Sequence, residues 1–138
     1  MGVMKLDGSA HRNGPGEHVD RIAREVIGAS IEVHRALGPG YLESVYEHAL
    51  CMELAHRGID HARQHPFAIE YKGCPVGEGR LDVLVDRAVI VELKAVDVLA
   101  PIHQAQVISY LRATNHRLGL LINFNVTVLK KGIKRIVL

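Results

Sequence analysis

Val19, Ile22, Ala23, Val26, Ile27, Ser30, Val33 and Leu37 recur at intervals of three and four, so a long helix with one buried stripe is predicted from His18. Gly38-Pro39-Gly40 stops it. A second helix is predicted from about Tyr41 to Gly58, with Leu42, Val45, Ala49 and Met52 as its inward stripe. Glu43 sits in its first turn, where an acid also complements the helix dipole. Glu43, Tyr46, Glu47 and Leu50 share another face of that helix, from which either acid could lean over a neighbouring strand.

The period then changes to two. Phe67, Ile69 and Tyr71 alternate with Ala68, Glu70 and Lys72, a strand that leads into a Lys72-Gly73 turn. The next strand carries Asp82, and Pro75, Gly77 and Gly79 make its beginning irregular or place it at an edge. Across Arg80 to Ala95, RLDVLVDRAVIVELKA, two short runs of Val and Leu are parted by Asp86 and Arg87, which reads as two strands and a tight connection. Glu92 and Lys94 fall on one face of the second strand, with Ile90; Val89, Val91 and Leu93 fall on the other.

Register decides whether Asp82 joins them. Asp86-Arg87-Ala88 lacks the Asn-Gly or Asp-Gly of a two-residue hairpin, so a three-residue connection is expected, pairing Val85 with Val89 and setting Asp82 opposite Glu92. Cβ atoms of such a pair lie roughly 4.5 to 5.5 Å apart, close enough for both carboxylates to bind one hard cation. A two-residue turn would oppose Asp82 to Leu93 instead. Acids inside strands are commonly just a solvated face, but two crowded acids repel unless a cation offsets them.

After Lys94, Pro101 opens a third helix with Ile102, Ala105, Ile108 and Leu111 as its stripe, on which Gln106 and Tyr110 stand one turn apart. Leu118 to Phe124 is a continuous apolar run, the mark of a strand buried on both faces, which a helix crossover can place parallel to its neighbour. A short strand from Ile133 to Leu138 ends the chain. The order helix, helix, three strands, helix, two strands predicts an α/β fold with a central mixed sheet flanked by helices.

Composition changes little. At 138 residues, 48% apolar and 23% charged, the chain has the size and make-up of one globular domain, expected over residues 18–138. Residues 1–17 are Gly-rich and without period, and are expected to be a flexible arm or an extension left by cloning. A net charge of +2 does not by itself announce a nucleic-acid binder. Lys130, Lys131, Lys134 and Arg135 suit a phosphate backbone and a guarded edge strand equally well. Cys51 and Cys74 have no metal-ligand spacing and are expected as free thiols. No apolar run is of membrane-span length and no signal peptide is visible, so a cytoplasmic protein with no membrane partner is expected. His61 and His65 are expected in a loop, HExxH is absent, and Gly38-Pro39-Gly40 lacks the spacing of a phosphate loop; zinc and P-loop chemistry are not indicated.

Asp82 followed by Glu92-Leu93-Lys94 resembles the D...ExK core of the PD-(D/E)XK nuclease superfamily, and Gly40 to Tyr46, GYLESVY, resembles the signature of its GxxExxY group. Gln106 to Tyr110, QVISY, and Leu118 to Asn125, LGLLINFN, follow in the order of that group, so the likeness covers most of the chain after about Ile22. It implies a restriction-endonuclease-like core and a Mg²⁺-dependent nuclease of DNA or RNA, with Mn²⁺ as a substitute. It further implies Asp82, Glu92 and Glu43 as metal ligands and catalytic acids, with Glu43 favoured over Glu47 because it holds the acid position of the signature. Lys94 would act on the attacking water or the developing charge, and Gln106 and Tyr110 would position the site or the nucleic acid. The contrasting reading is a catalytically silent module on the same scaffold, binding nucleic acid or protein. A homodimer built on the first helix is compatible with both.

Overall fold

The computed structural model describes residues 14–138, so residues 1–13 of the expected arm lie outside it. In chain order the elements are α1 (Glu17–Leu37), α2 (Glu43–His56), β1 (His61–Tyr71), β2 (Cys74–Val85), β3 (Val89–Lys94), α3 (Pro101–Thr114), β4 (Leu118–Asn123) and, after a single 3₁₀ turn, β5 (Ile133–Val137). They build an α/β fold on a five-stranded sheet in the order β1-β2-β3-β4-β5, in which only the β3–β4 pair is parallel. The crossover through α3 makes that parallel pair possible, as the apolar run of β4 implied.

The sheet separates two cores. Val83, Val85, Val89, Val91 and Leu93 face α1 and α2 together with Leu118, Leu120 and Ile122. Leu84, Ile90 and Leu121 face α3 with Val107 and Leu111. At Gly119 an added Cβ would come within 2.7 Å of Val107 Cγ1, so the missing side chain lets α3 lie close against the sheet.

The stripe of α1 falls where its spacing put it, with Ile22, Ala23, Val26, Ser30 and Val33 buried. The other two stripes hold only in part: Ala49 on α2 and Ile108 and Leu111 on α3 pack against the cores as expected, and the remainder is corrected. On α2 the buried residues are Tyr46, Glu47, Leu50 and Leu54, while Leu42 and Met52 are 75% and 64% exposed. On α3 they are Val107 and Leu111, and Ile102 is 70% exposed. Both helices are rolled so that polar groups look inward: Glu43 and Glu47 on α2, Gln106 and Tyr110 on α3. His61 and His65 are corrected too, standing in β1 and not in a loop.

Tyr46 explains the roll of α2. Its ring stacks on Phe124 at 4.6 Å, and its hydroxyl donates to the Gly38 carbonyl (2.6 Å) and accepts from the Tyr41 N–H (3.1 Å). The α1–α2 connection, with Gly38 and Gly40 at positive φ, is thereby tied to the helix that carries Glu43. Tyr46→Phe keeps the stack and removes both bonds. We expect a loss of about 1 to 2 kcal/mol, read as a lower urea midpoint at unchanged slope.

Candidate active site

β2 and β3 pair as Val83 with Val91, Leu84 with Ile90 and Val85 with Val89, the register of the three-residue connection. The hairpin closes with the Ala88 N–H donating to the Val85 carbonyl at 2.9 Å, and with Asp86 and Arg87 at φ of 53° and 54°. Left-handed backbone at two adjacent non-glycine residues is costly. Asp86 is held there by His18 Nε2 of α1, 2.6 Å from its carboxylate.

One step past Val83 and Val91, side chains replace main chain in the ladder. The Asp82 N–H donates to Glu92 Oε2 at 2.8 Å, and the Leu93 N–H donates to Asp82 Oδ2 at 2.9 Å. Each carboxylate therefore points into the gap between the two strands and is fixed through one oxygen. Asp82 Oδ1 and Glu92 Oε1 stand outside these bonds and suit a hard cation. Glu92 is only 3% exposed. Burial, then the charge of Asp82, push its carboxyl up to about 8, against the Asp82 N–H bond and Lys94, which lower it. Asp82 is raised as well, by burial first, and the Leu93 N–H and Lys94 oppose the rise.

Glu43, in the first turn of α2, is half-buried and raised by its burial and by the charge of Asp82, while Lys94 lowers it. Lys94, at the end of β3, thus acts on Glu43, Asp82 and Glu92 alike. It forms no ion pair among the described residues. Across from these acids, Tyr110 of α3 has its hydroxyl raised by burial and by the charges of Glu92 and Asp82, and a bond with Gln106 lowers it. Its ring meets Phe67 edge-on at 5.0 Å. Asp82, Glu92, Lys94, Glu43, Gln106 and Tyr110 accordingly converge on one end of the β2–β3 pair. Among the described residues, however, no three His, Cys, Asp or Glu side chains are gathered tightly enough to cage an ion by themselves. Two carboxylates with a third nearby suit Mg²⁺, which commonly keeps several waters.

The sequence reading missed three neighbours, Arg63, Gln64 and Asn123. Glu47 is 6% exposed and accepts from Arg63 Nε (2.7 Å) and Gln64 Nε2 (2.9 Å). Asn123, 2% exposed at the end of β4, accepts from the Val96 N–H and donates to the Val96 carbonyl, which fixes the chain just after Lys94. A polar residue closing an apolar run was a signal for Asn123; Arg63 and Gln64 gave none.

A scan of protein-family models matches residues 20–136 to the PD-(D/E)XK nuclease superfamily. The chain belongs to that superfamily. The match spans α1 to β5 and hence every residue of the acidic cluster, and the mixed sheet with flanking helices is consistent with the restriction-endonuclease-like fold of PD-(D/E)XK proteins. Searches of curated proteins and of solved structures find no match. No helix among the described residues is long and apolar enough to cross a membrane.

Proposed function

We propose that this PD-(D/E)XK protein, of the GxxExxY group, is a divalent-cation-dependent nuclease that hydrolyses phosphodiester bonds of DNA or RNA. The reciprocal clasp of Asp82 and Glu92 beside Lys94 carries this reading, because it sets two raised acids together where a bound cation can replace the proton that otherwise relieves their repulsion. Asp82 and Glu92 would hold Mg²⁺, or Mn²⁺ in its place, with Glu43 as the further acid. The bound ion supplies Lewis acidity at the phosphoryl oxygen and lowers the pKa of water.

The remaining roles belong to the chain. Lys94 holds a positive charge where the attacking water and the scissile phosphate meet, orienting the one and offsetting the charge that grows on the other. The α3 pair, Gln106 and Tyr110, lines the opposite side and seats the strand. Water attack on phosphorus breaks one P–O bond, and the departing oxygen takes up a proton. The silent binding module has the same scaffold but no need of clustered acids facing phosphates.

Calorimetric titration of Mn²⁺ separates the two. The wild type should bind near one equivalent, and Asp82→Asn should weaken binding at least about tenfold, the size of one lost charged contact. In parallel the wild type should nick or degrade plasmid DNA or RNA with Mg²⁺ or Mn²⁺. A wild type that takes up no Mn²⁺, or cutting that persists in Asp82→Asn, would end the nuclease reading.

A further inference from the structure

Arg63 and Gln64 are neighbours in β1, and on a regular strand their side chains leave opposite faces. Here both reach one carboxylate, that of buried Glu47 on α2. The backbone achieves this by turning left-handed at Gln64, φ 54°, in the middle of a strand. The turn interrupts the β1–β2 ladder at one place: Arg63 pairs with Val83 and His65 with Leu81, and the step between them, Gln64 with Asp82, is missing. The kink thus stands directly across from the acid that clasps Glu92.

Glycine would adopt this backbone without strain. A glutamine there puts a carboxamide between two acids, and a carboxamide has two N–H hydrogens. One is spent on Glu47 Oε1 at 2.9 Å. We infer that Gln64 is a positioning residue for Asp82: pinned by Glu47, it turns its second N–H to the Asp82 carboxylate and keeps that group facing Glu92. Glu47 then acts through Gln64, and the α2 face that carries Glu43 reaches the strand pair by a second route. The inference rests on the nuclease reading, because it assigns Gln64 its use in shaping the cation site.

Gln64→Gly separates backbone from side chain, since it suits the left-handed turn and removes the amide. Its thermal midpoint should stay within a few degrees of the wild type, relief of the left-handed strain offsetting much of the lost bond to Glu47, while Mn²⁺ affinity by calorimetry falls about tenfold, as for loss of one hydrogen bond to a charged group. In hydrolysis kcat should fall with KM for nucleic acid unchanged. Gln64→Met, similar in length but without a donor, should be as weak as the glycine variant. Stable Gln64→Gly protein with wild-type Mn²⁺ affinity would overturn the assignment alone, as would Gln64→Met binding like the wild type. A wild type that binds no Mn²⁺ would instead remove the nuclease reading and this role with it.

Discussion

Replacing Glu92 by Gln should abolish cutting and, at the same time, make the cation-free protein more stable at alkaline pH. The carboxyl is pushed up to about 8 in the folded chain from an ordinary value near 4.5. A folded state that holds its proton more tightly than the unfolded state is favoured at low pH. Its advantage is lost as pH rises from about 4.5 through about 8. The amide has no charge to bury and keeps an oxygen for the Asp82 N–H. Thermal melts without metal should show the wild type falling between pH 5 and pH 9, by an amount on the order of a few kcal/mol. Glu92→Gln should fall much less over that range, its remaining slope being that of the raised Asp82 and Glu43. Added Mg²⁺ should restore the wild type at pH 9 and leave the variant unmoved. Activity should drop by about 10³-fold or more, since the ion's contribution to the transition state is several kcal/mol. A wild type whose melting point rises with pH in the absence of metal would show that Glu92 is not the strained acid described here.

Lys94→Met should lower kcat by roughly 10² to 10³-fold at saturating Mg²⁺, the usual cost of removing one preorganised charge from a developing anion. Its second effect is on pH. Lys94 lowers Glu43, Asp82 and Glu92, so without it all three acids rise further. The acid limb of the rate profile should therefore move to higher pH, and more Mn²⁺ should be needed at neutral pH to displace the protons. A variant within threefold of the wild type, with the same profile, would reduce Lys94 to a charge at the end of a strand.

The strand pair was legible because its register follows from what Asp86-Arg87-Ala88 is not: without a glycine pair the shorter turn is disfavoured, and the longer one brings Asp82 to Glu92. The buried strand β4 and the stripe of α1 were legible because those elements do nothing but pack. The inward faces of α2 and α3 were misread in part, at Leu42, Met52 and Ile102, for the complementary reason. Periodicity assumes that the apolar side of a helix looks inward. In these two helices the inward side is shared between packing and chemistry, with Glu43 and Glu47 beside Tyr46 and Leu50, and Gln106 and Tyr110 beside Val107 and Leu111. Leu42, Met52 and Ile102 are left outside, where their spacing counterfeits a core stripe. Gln64 was beyond reach of any pattern, because a left-handed kink at a glutamine depends on partners remote in sequence, Glu47 standing 17 residues away on α2 and Asp82 lying on another strand.

Asp82 and Glu92 stitch the sheet as well as serving the chemistry, since each accepts a main-chain N–H that would otherwise face a gap. Alanine at either position would remove both the charge and the stitch, so an inactive product could be mistaken for a frayed one. Amides are the cleaner decoys. A copy of this gene drifting away from hydrolysis could pass through Asn or Gln at these sites with its ribbon intact, and a retired enzyme of this kind would still look, in outline, like a working one.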